Sequence, residues 1–221
     1  MSARDIDGLI ETLAAEARPV RVLPPPLRRA GLLLGLLAAA GLILVMAMAD
    51  IGTLTARYAG REHMMMLEMA ATLATGVMAV TGAFFLSIPG RSPRWLIAPV
   101  PPLIAWIALS GMGCWRDLAS HGAGGWSLGH SVDCLLFILG ASLAVGAPLL
   151  WLLSRASPID PLRVALLAGL GSAALAAFLV QFFHPFTITF LDLGVHLIAV
   201  GLVVAAIAAL NRRALAGPAG A

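Results

Sequence analysis

Apolar residues run along this chain in long unbroken stretches separated by short polar intervals. Stretches of about 20 residues, the length that crosses a bilayer as a helix, can be drawn at 27–49, 64–88, 96–113, 132–153, 162–183 and 188–210. The pattern predicts an all-α, polytopic membrane bundle of six transmembrane helices. A different period governs the first 26 residues. Ile6, Leu9, Ile10, Leu13, Ala14 and Ala17 recur at the spacing of a single helical face, with Asp7, Glu11, Thr12 and Glu16 opposite. Pro19 ends that helix, and Pro24, Pro25 and Pro26 make a stiff, extended strut to the first span. A helix of about 14 residues has little stability alone in water, so its apolar face needs a partner. Helices that lie on membranes usually carry basic polar faces. This polar face is acidic, which favours a protein partner over the bilayer surface.

Arginine sets the expected orientation, because the chain contains no lysine. Numbering the intervals from inside, the inner ones hold Arg4, Arg18, Arg21, Arg28, Arg29, Arg91, Arg94, Arg155, Arg163, Arg212 and Arg213. The outer ones hold only Arg57, Arg61 and Arg116. Positive charge collects on the cytoplasmic side, so both ends are expected inside. Three regions follow: 1–26 as a cytoplasmic partner-binding segment with its strut, 27–213 as the transmembrane domain, and 214–221 as a flexible tail. A composition of 60% hydrophobic and 11% charged residues excludes an ordinary soluble domain. The net charge of +3 comes from loop arginines that hold topology and argues little for nucleic-acid binding, so no direct nucleic-acid partner is expected. No small-residue cleavage site follows a short apolar core near the start, so the first span is expected to be retained. All-arginine, Ala/Leu/Gly-rich usage fits a bacterial inner-membrane protein.

Candidate chemistry gathers at the outer helix ends. The outer intervals are expected as loops at 50–63, 114–131 and 184–187, the middle one glycine-rich and bounded by thiols. Cys114 closes the third span, Cys134 opens the fourth, and His184 ends the fifth. Asp192 and His196 share one face of the sixth at i, i+4 spacing. Ionisable groups within a span are costly and by default mark function. The two thiols have three readings: a structural disulfide, a reduced redox sensor, or soft-metal ligands with nearby histidines. Methionines cluster at the same ends, and His63, Met64 and Met112 are weaker candidates beside the Cys/His set for a soft transition metal such as copper. No CxxC pair and no paired zinc spacing is present. Hydrolase, nucleotide-binding and metalloprotease motifs are absent too, so no enzyme and no resident cofactor are expected. Small-residue spacing at Gly31 with Gly35 and at Gly169 with Ala173 fits close helix packing.

The leader DIDGLIETLAAEARPVRVLPPPLRRA, the turn IPGRSPRW, the GMGCW stretch with its second cysteine, and FHPFTITFLDLGVH resemble the NrsF family, negative regulators of sigma factor F. The likeness runs from the leader to the last span. It implies six transmembrane helices, a short cytoplasmic N-terminal segment and two periplasmic cysteines. It also implies an anti-sigma factor that holds an extracytoplasmic-function sigma factor at the inner membrane and releases it under metal or oxidative stress. Cys114 and Cys134 stand at the family's cysteine positions, and His184-Pro185 and His196 at its late His-Pro and His positions. An aromatic residue usual before the last of these is Val195 here. On this resemblance Ile6, Leu9, Ile10 and Leu13 are the sigma-binding stripe. Two other classes remain open: a membrane thiol-disulfide oxidoreductase, and a small metal transporter. The first normally carries a closely spaced CxxC. The second favours polar groups near the midplane, whereas these cluster at one end.

Overall fold

A computed structural model describes residues 3–16, 23–58, 62–121, 128–156, 158–183 and 190–215. Within them the chain is all-helical: α1 (Ala3–Glu16), α2 (Pro26–Met48), α3 (Ile51–Tyr58), α4 (Glu62–Leu86), α5 (Val100–His121), α6 (Leu128–Ser154), α7 (Pro161–Val180) and α8 (Phe190–Leu215), with a 3-10 turn at Pro93–Leu96 before α5. Five helical stretches among the described residues are long and apolar enough to cross a membrane: Pro26–Met48, His63–Leu86, Pro93–Arg116, Leu135–Ser154 and Pro161–Val180. A shorter apolar stretch, Leu197–Ile207, lies in α8. The starts of two spans follow local chemistry. Pro26 opens α2, where a missing N–H costs nothing. At α7, the Asp160 carboxylate accepts from the Arg163 N–H at 3.2 Å while Pro161 takes the first helical position. Gly90, at φ 77°, makes the turn after α4 that only glycine enters without strain.

Packing centres on α7, which contacts α4, α6 and α8. Of its apolar stretch 67% is buried, against 6% for α2. The reason is side-chain size. Ala165, Ala168, Gly169, Gly171, Ser172, Ala173, Ala174, Ala176 and Ala177 are all buried on α7. A Cβ at Gly169 would sit 2.7 Å from Val204 Cα, and one at Gly171 would sit 3.0 Å from the Val80 backbone nitrogen. Backbones meet there almost directly. Outward-facing positions on other spans stay large and apolar, as at Leu36 (69% exposed), Ile43 (69%) and Leu143 (69%). Polar surface is what an aqueous exterior would require; apolar surface of this extent suits lipid.

The expected spans and the observed helices differ in two places. The interval 114–131 is expected as a loop, yet α5 continues to His121 and α6 starts at Leu128. Cys114 therefore lies about two turns inside a helix rather than at a loop edge. Run length measures how much chain suits lipid, and a helix is free to continue past that limit. Likewise the interval 50–63 contains α3 and the first residues of α4. The packing expected of Gly169 with Ala173 is present, whereas a Cβ at Gly31 or Gly35 would meet nothing within 4 Å.

This contrast is testable by thermal unfolding in detergent. Gly171→Val is expected to destabilise the bundle by about 1–3 kcal/mol, the cost of overpacking a close contact. Gly31→Val is expected to unfold with the wild type. Equal melting of the two variants would contradict the packing described.

Candidate functional site

Each helix brings a different part of the expected site. Cys114 is on α5 and almost fully buried, at 1% exposure. Cys134 belongs to α6, and Asp192 and His196 belong to α8 one turn apart, as their spacing required. The side chains of these three, and the whole of His184, lie outside the described residues. The structure therefore describes Cys114 alone of the thiol–imidazole set. His63 is exposed near the start of α4, Met64 is half-buried, and Met112 on α5 is 45% exposed. Among the described residues no group of three His, Cys, Asp or Glu side chains is placed to hold a metal ion.

A polar cluster that the sequence reading passes over lies on the same end of the bundle. Ser110 Oγ on α5 donates to Glu68 Oε1 on α4 at 2.6 Å. Thr72, one turn on from Glu68, donates its hydroxyl to the Glu68 carbonyl at 2.7 Å. Gln181 Nε2, just past α7, donates to Thr72 Oγ1 at 3.3 Å. Gln181 Oε1 is buried and has no hydrogen-bond partner among the described residues. Two buried side chains, Ser110 and Thr72, and two half-buried ones, Glu68 and Gln181, thus link α5 to α4 and α4 to the end of α7. Buried polar groups are held by such bonds because leaving them unmade is costly.

Cys114 is four residues from Ser110, so both occupy one face of α5, and both are buried. A change of volume or charge at the thiol falls one helical turn from the hydroxyl that reaches Glu68. The signal for Glu68 was in the sequence: an ionisable residue inside an apolar run, the criterion that selects Asp192. Gln181 and Ser110 carry no such mark.

The leader helix carries the other group of expected site residues. Ile6 (42%), Leu9 (51%), Ile10 (57%) and Leu13 (59%) are all exposed, and so is every described residue from Ile6 to Glu16. The stripe is present, on a helix, and uncovered.

The Glu68–Ser110 bond is testable apart from any signal. Ser110→Ala is expected to cost about 1 kcal/mol, the scale of interhelical hydrogen bonds in membranes. Glu68→Gln keeps an acceptor oxygen and is expected to stay nearer wild type than Glu68→Ala. Thermal unfolding in detergent reads both; equal stability of Glu68→Ala and wild type would show the bond to be idle.

No curated protein and no solved structure matches this chain. One family model does, over residues 13–216, from the last turn of the leader helix through all five long apolar stretches and α8. The chain belongs to the family described as NrsF, negative regulator of sigma F.

Proposed function

We propose that this protein is a membrane anti-sigma factor that holds an extracytoplasmic-function sigma factor through its leader helix. The observation that carries the reading is the uncovered stripe Ile6, Leu9, Ile10 and Leu13 on a helix that makes up most of the leader. Family membership supports a sigma factor as the partner. The family match starts at residue 13, so most of the stripe lies ahead of it and stands on its own physical argument. Burying a large apolar side chain is worth roughly 1.5–3 kcal/mol, and four of them suffice for a specific contact. The acidic face of α1 remains for solvent or for basic groups of the partner. In this reading the protein is a regulator rather than an enzyme. It is a six-span protein of the bacterial inner membrane, with both ends cytoplasmic, as the arginine distribution supports.

Leu9→Asp or Leu13→Asp is expected to release the sigma factor in a pull-down from solubilised membranes, with the protein still inserted. Retention at wild-type levels would sink the assignment of the stripe. An alkaline phosphatase fused after residue 221 is expected to be inactive; an active fusion would overturn the orientation.

Sensing belongs to the opposite end. Cys114 and Cys134, with His184, Asp192 and His196, form the switch, which captures a soft metal ion or is oxidised. Burial of Cys114 slows its reaction from water, so capture requires the outer end of α5 to part from the helices it packs on, α4 and α8. A rearrangement there acts on the Ser110–Glu68 contact first, since Ser110 is one turn from the thiol. Moving a population from 1:99 to 99:1 takes about 5.5 kcal/mol of differential binding, within reach of metal–thiolate bonds but beyond one exposed ion pair. Cys114→Ser and Cys134→Ser are expected to abolish induction of the sigma regulon by copper, cadmium, chromate or oxidants while partner binding persists. Normal induction in both variants would remove the thiols from the mechanism.

A further inference from the structure

At the end of the bundle where α2 begins and α6 ends, a buried cation has no carboxylate partner among the described residues. The Arg29 side chain, in the first turn of α2, is 7% exposed. Its Nη2 donates to the carbonyl of Leu152 in the last turn of α6, and its guanidinium carbon lies 5.0 Å from the centroid of the Phe84 ring on α4. Its Nη1 is buried and has no hydrogen-bond partner among the described residues. Arg155, just past α6, follows three residues after Leu152, whose carbonyl Arg29 holds. The Arg155 guanidinium carbon lies 3.8 Å from the centroid of the Trp151 ring, and Trp151 is 57% exposed. Neither arginine pairs with a carboxylate among the described residues; the nearby Asp160 is engaged by Arg163 at 2.8 Å.

Two guanidiniums at the same end of α6, one buried with a donor unmade, form a site that an anion would stabilise. Guanidinium forks match phosphate oxygens, and an exposed tryptophan on an apolar bundle marks the headgroup level. A second observation narrows the anion further. Between the same two helices, deeper along them, lies a cavity of about 960 Å³ lined by apolar side chains and glycines, including Leu34 and Gly35 of α2, Gly140 and Val145 of α6, and Phe178 of α7. At 1.5 Å per residue its near edge lies roughly 8–10 Å from Arg29 and Leu152. No polar side chain lines it, so a free phosphate has no use for it, whereas an acyl chain does.

We propose that the cleft between α2 and α6 binds one anionic phospholipid, its headgroup phosphate held by Arg155 and by the Arg29 guanidinium, whose buried Nη1 turns outward to meet it, and an acyl chain lying in the cavity. The lipid fills the gap between the bundle and α2, the span that the rest of the protein covers least. The inference rests on the membrane placement proposed above, and is independent of the sigma factor and of the thiols.

The test is lipid binding by the full-length, delipidated protein in neutral detergent, followed by native mass spectrometry and thermal unfolding. Phosphatidylglycerol, phosphatidylethanolamine and inorganic phosphate are compared. Phosphatidylglycerol is expected to bind preferentially and raise the melting temperature. Arg155→Gln, at an exposed position, is expected to weaken it about five-fold, the effect of one interfacial charge. Arg29→Gln is expected to do at least as much. Gly140→Phe, where a Cβ meets nothing within 4 Å, fills the cavity with both arginines intact and is expected to displace the lipid. Equal binding of phosphatidylethanolamine would overturn the site. So would phosphatidylglycerol binding unchanged in Arg155→Gln, or stabilisation by inorganic phosphate that Gly140→Phe leaves intact. Loss of sigma binding in Leu9→Asp is read separately, so either proposal fails without the other. A protein that fractionates away from membranes would remove the placement that this one requires.

Discussion

The bundle depends on the close approach that the small side chains of α7 allow. Within a membrane, lipid tails are as apolar as leucine, so helices gain nothing by merely hiding apolar surface from lipid. What holds them is dispersion across short distances. Gly169 and Gly171 bring α7 nearly into backbone contact with α8 and α4. Larger residues then close the rest of the interface, with Phe84, Val80 and Leu149 fully buried around the alanine-rich surface. The other helices take their places from their relation to α7: α4, α6 and α8 against it, α5 against α4, and α2 at the margin.

Polar residues refine that arrangement at both ends. Glu68, Ser110, Thr72 and Gln181 tie α4 to α5 and to the end of α7. Arg29 ties α2 to the last turn of α6 and lies over a ring of α4. Each tie is a directional contact, made or broken over a fraction of an ångström, unlike the surrounding apolar packing. The two lie at opposite ends of α4, a helix whose face between them, through Thr75, Gly76, Ala79, Val80 and Ala83, is buried. A displacement at one end therefore meets a stiff element rather than a soft one.

Much of the architecture was legible from the order of apolar and polar residues. Among the described residues, five of the six expected spans coincide with helical stretches both long and apolar enough to cross, and the stripe of the leader appears on a helix with its apolar side uncovered. These are local properties, set by each segment's own composition. The continuation of α5 to His121 was not legible, because hydropathy reports the solvent a segment prefers and not where its backbone stops being helical. Partner choice was not legible either. Gly31 with Gly35 and Gly169 with Ala173 look alike in sequence, but only the second pair meets another helix. Arg29 and Arg28 read as equivalent topology arginines, yet one is buried against α4 and α6 and the other is exposed. Which neighbour a residue faces is decided by residues more than a hundred positions away, as Arg29 and Leu152 illustrate.

The position of α7 along the chain also has a consequence for biosynthesis. Chains are made from the N-terminus onward, so α2, α4, α5 and α6 all leave the ribosome before α7 exists. Each must enter the bilayer as a separate helix, stable there by its own backbone hydrogen bonds, and α4 and α6 wait without their main packing partner. Completion of the bundle is thus a late event that waits for one alanine- and glycine-rich segment. A nascent chain interrupted before residue 161 contains most of the helices but lacks the larger part of the packing between them.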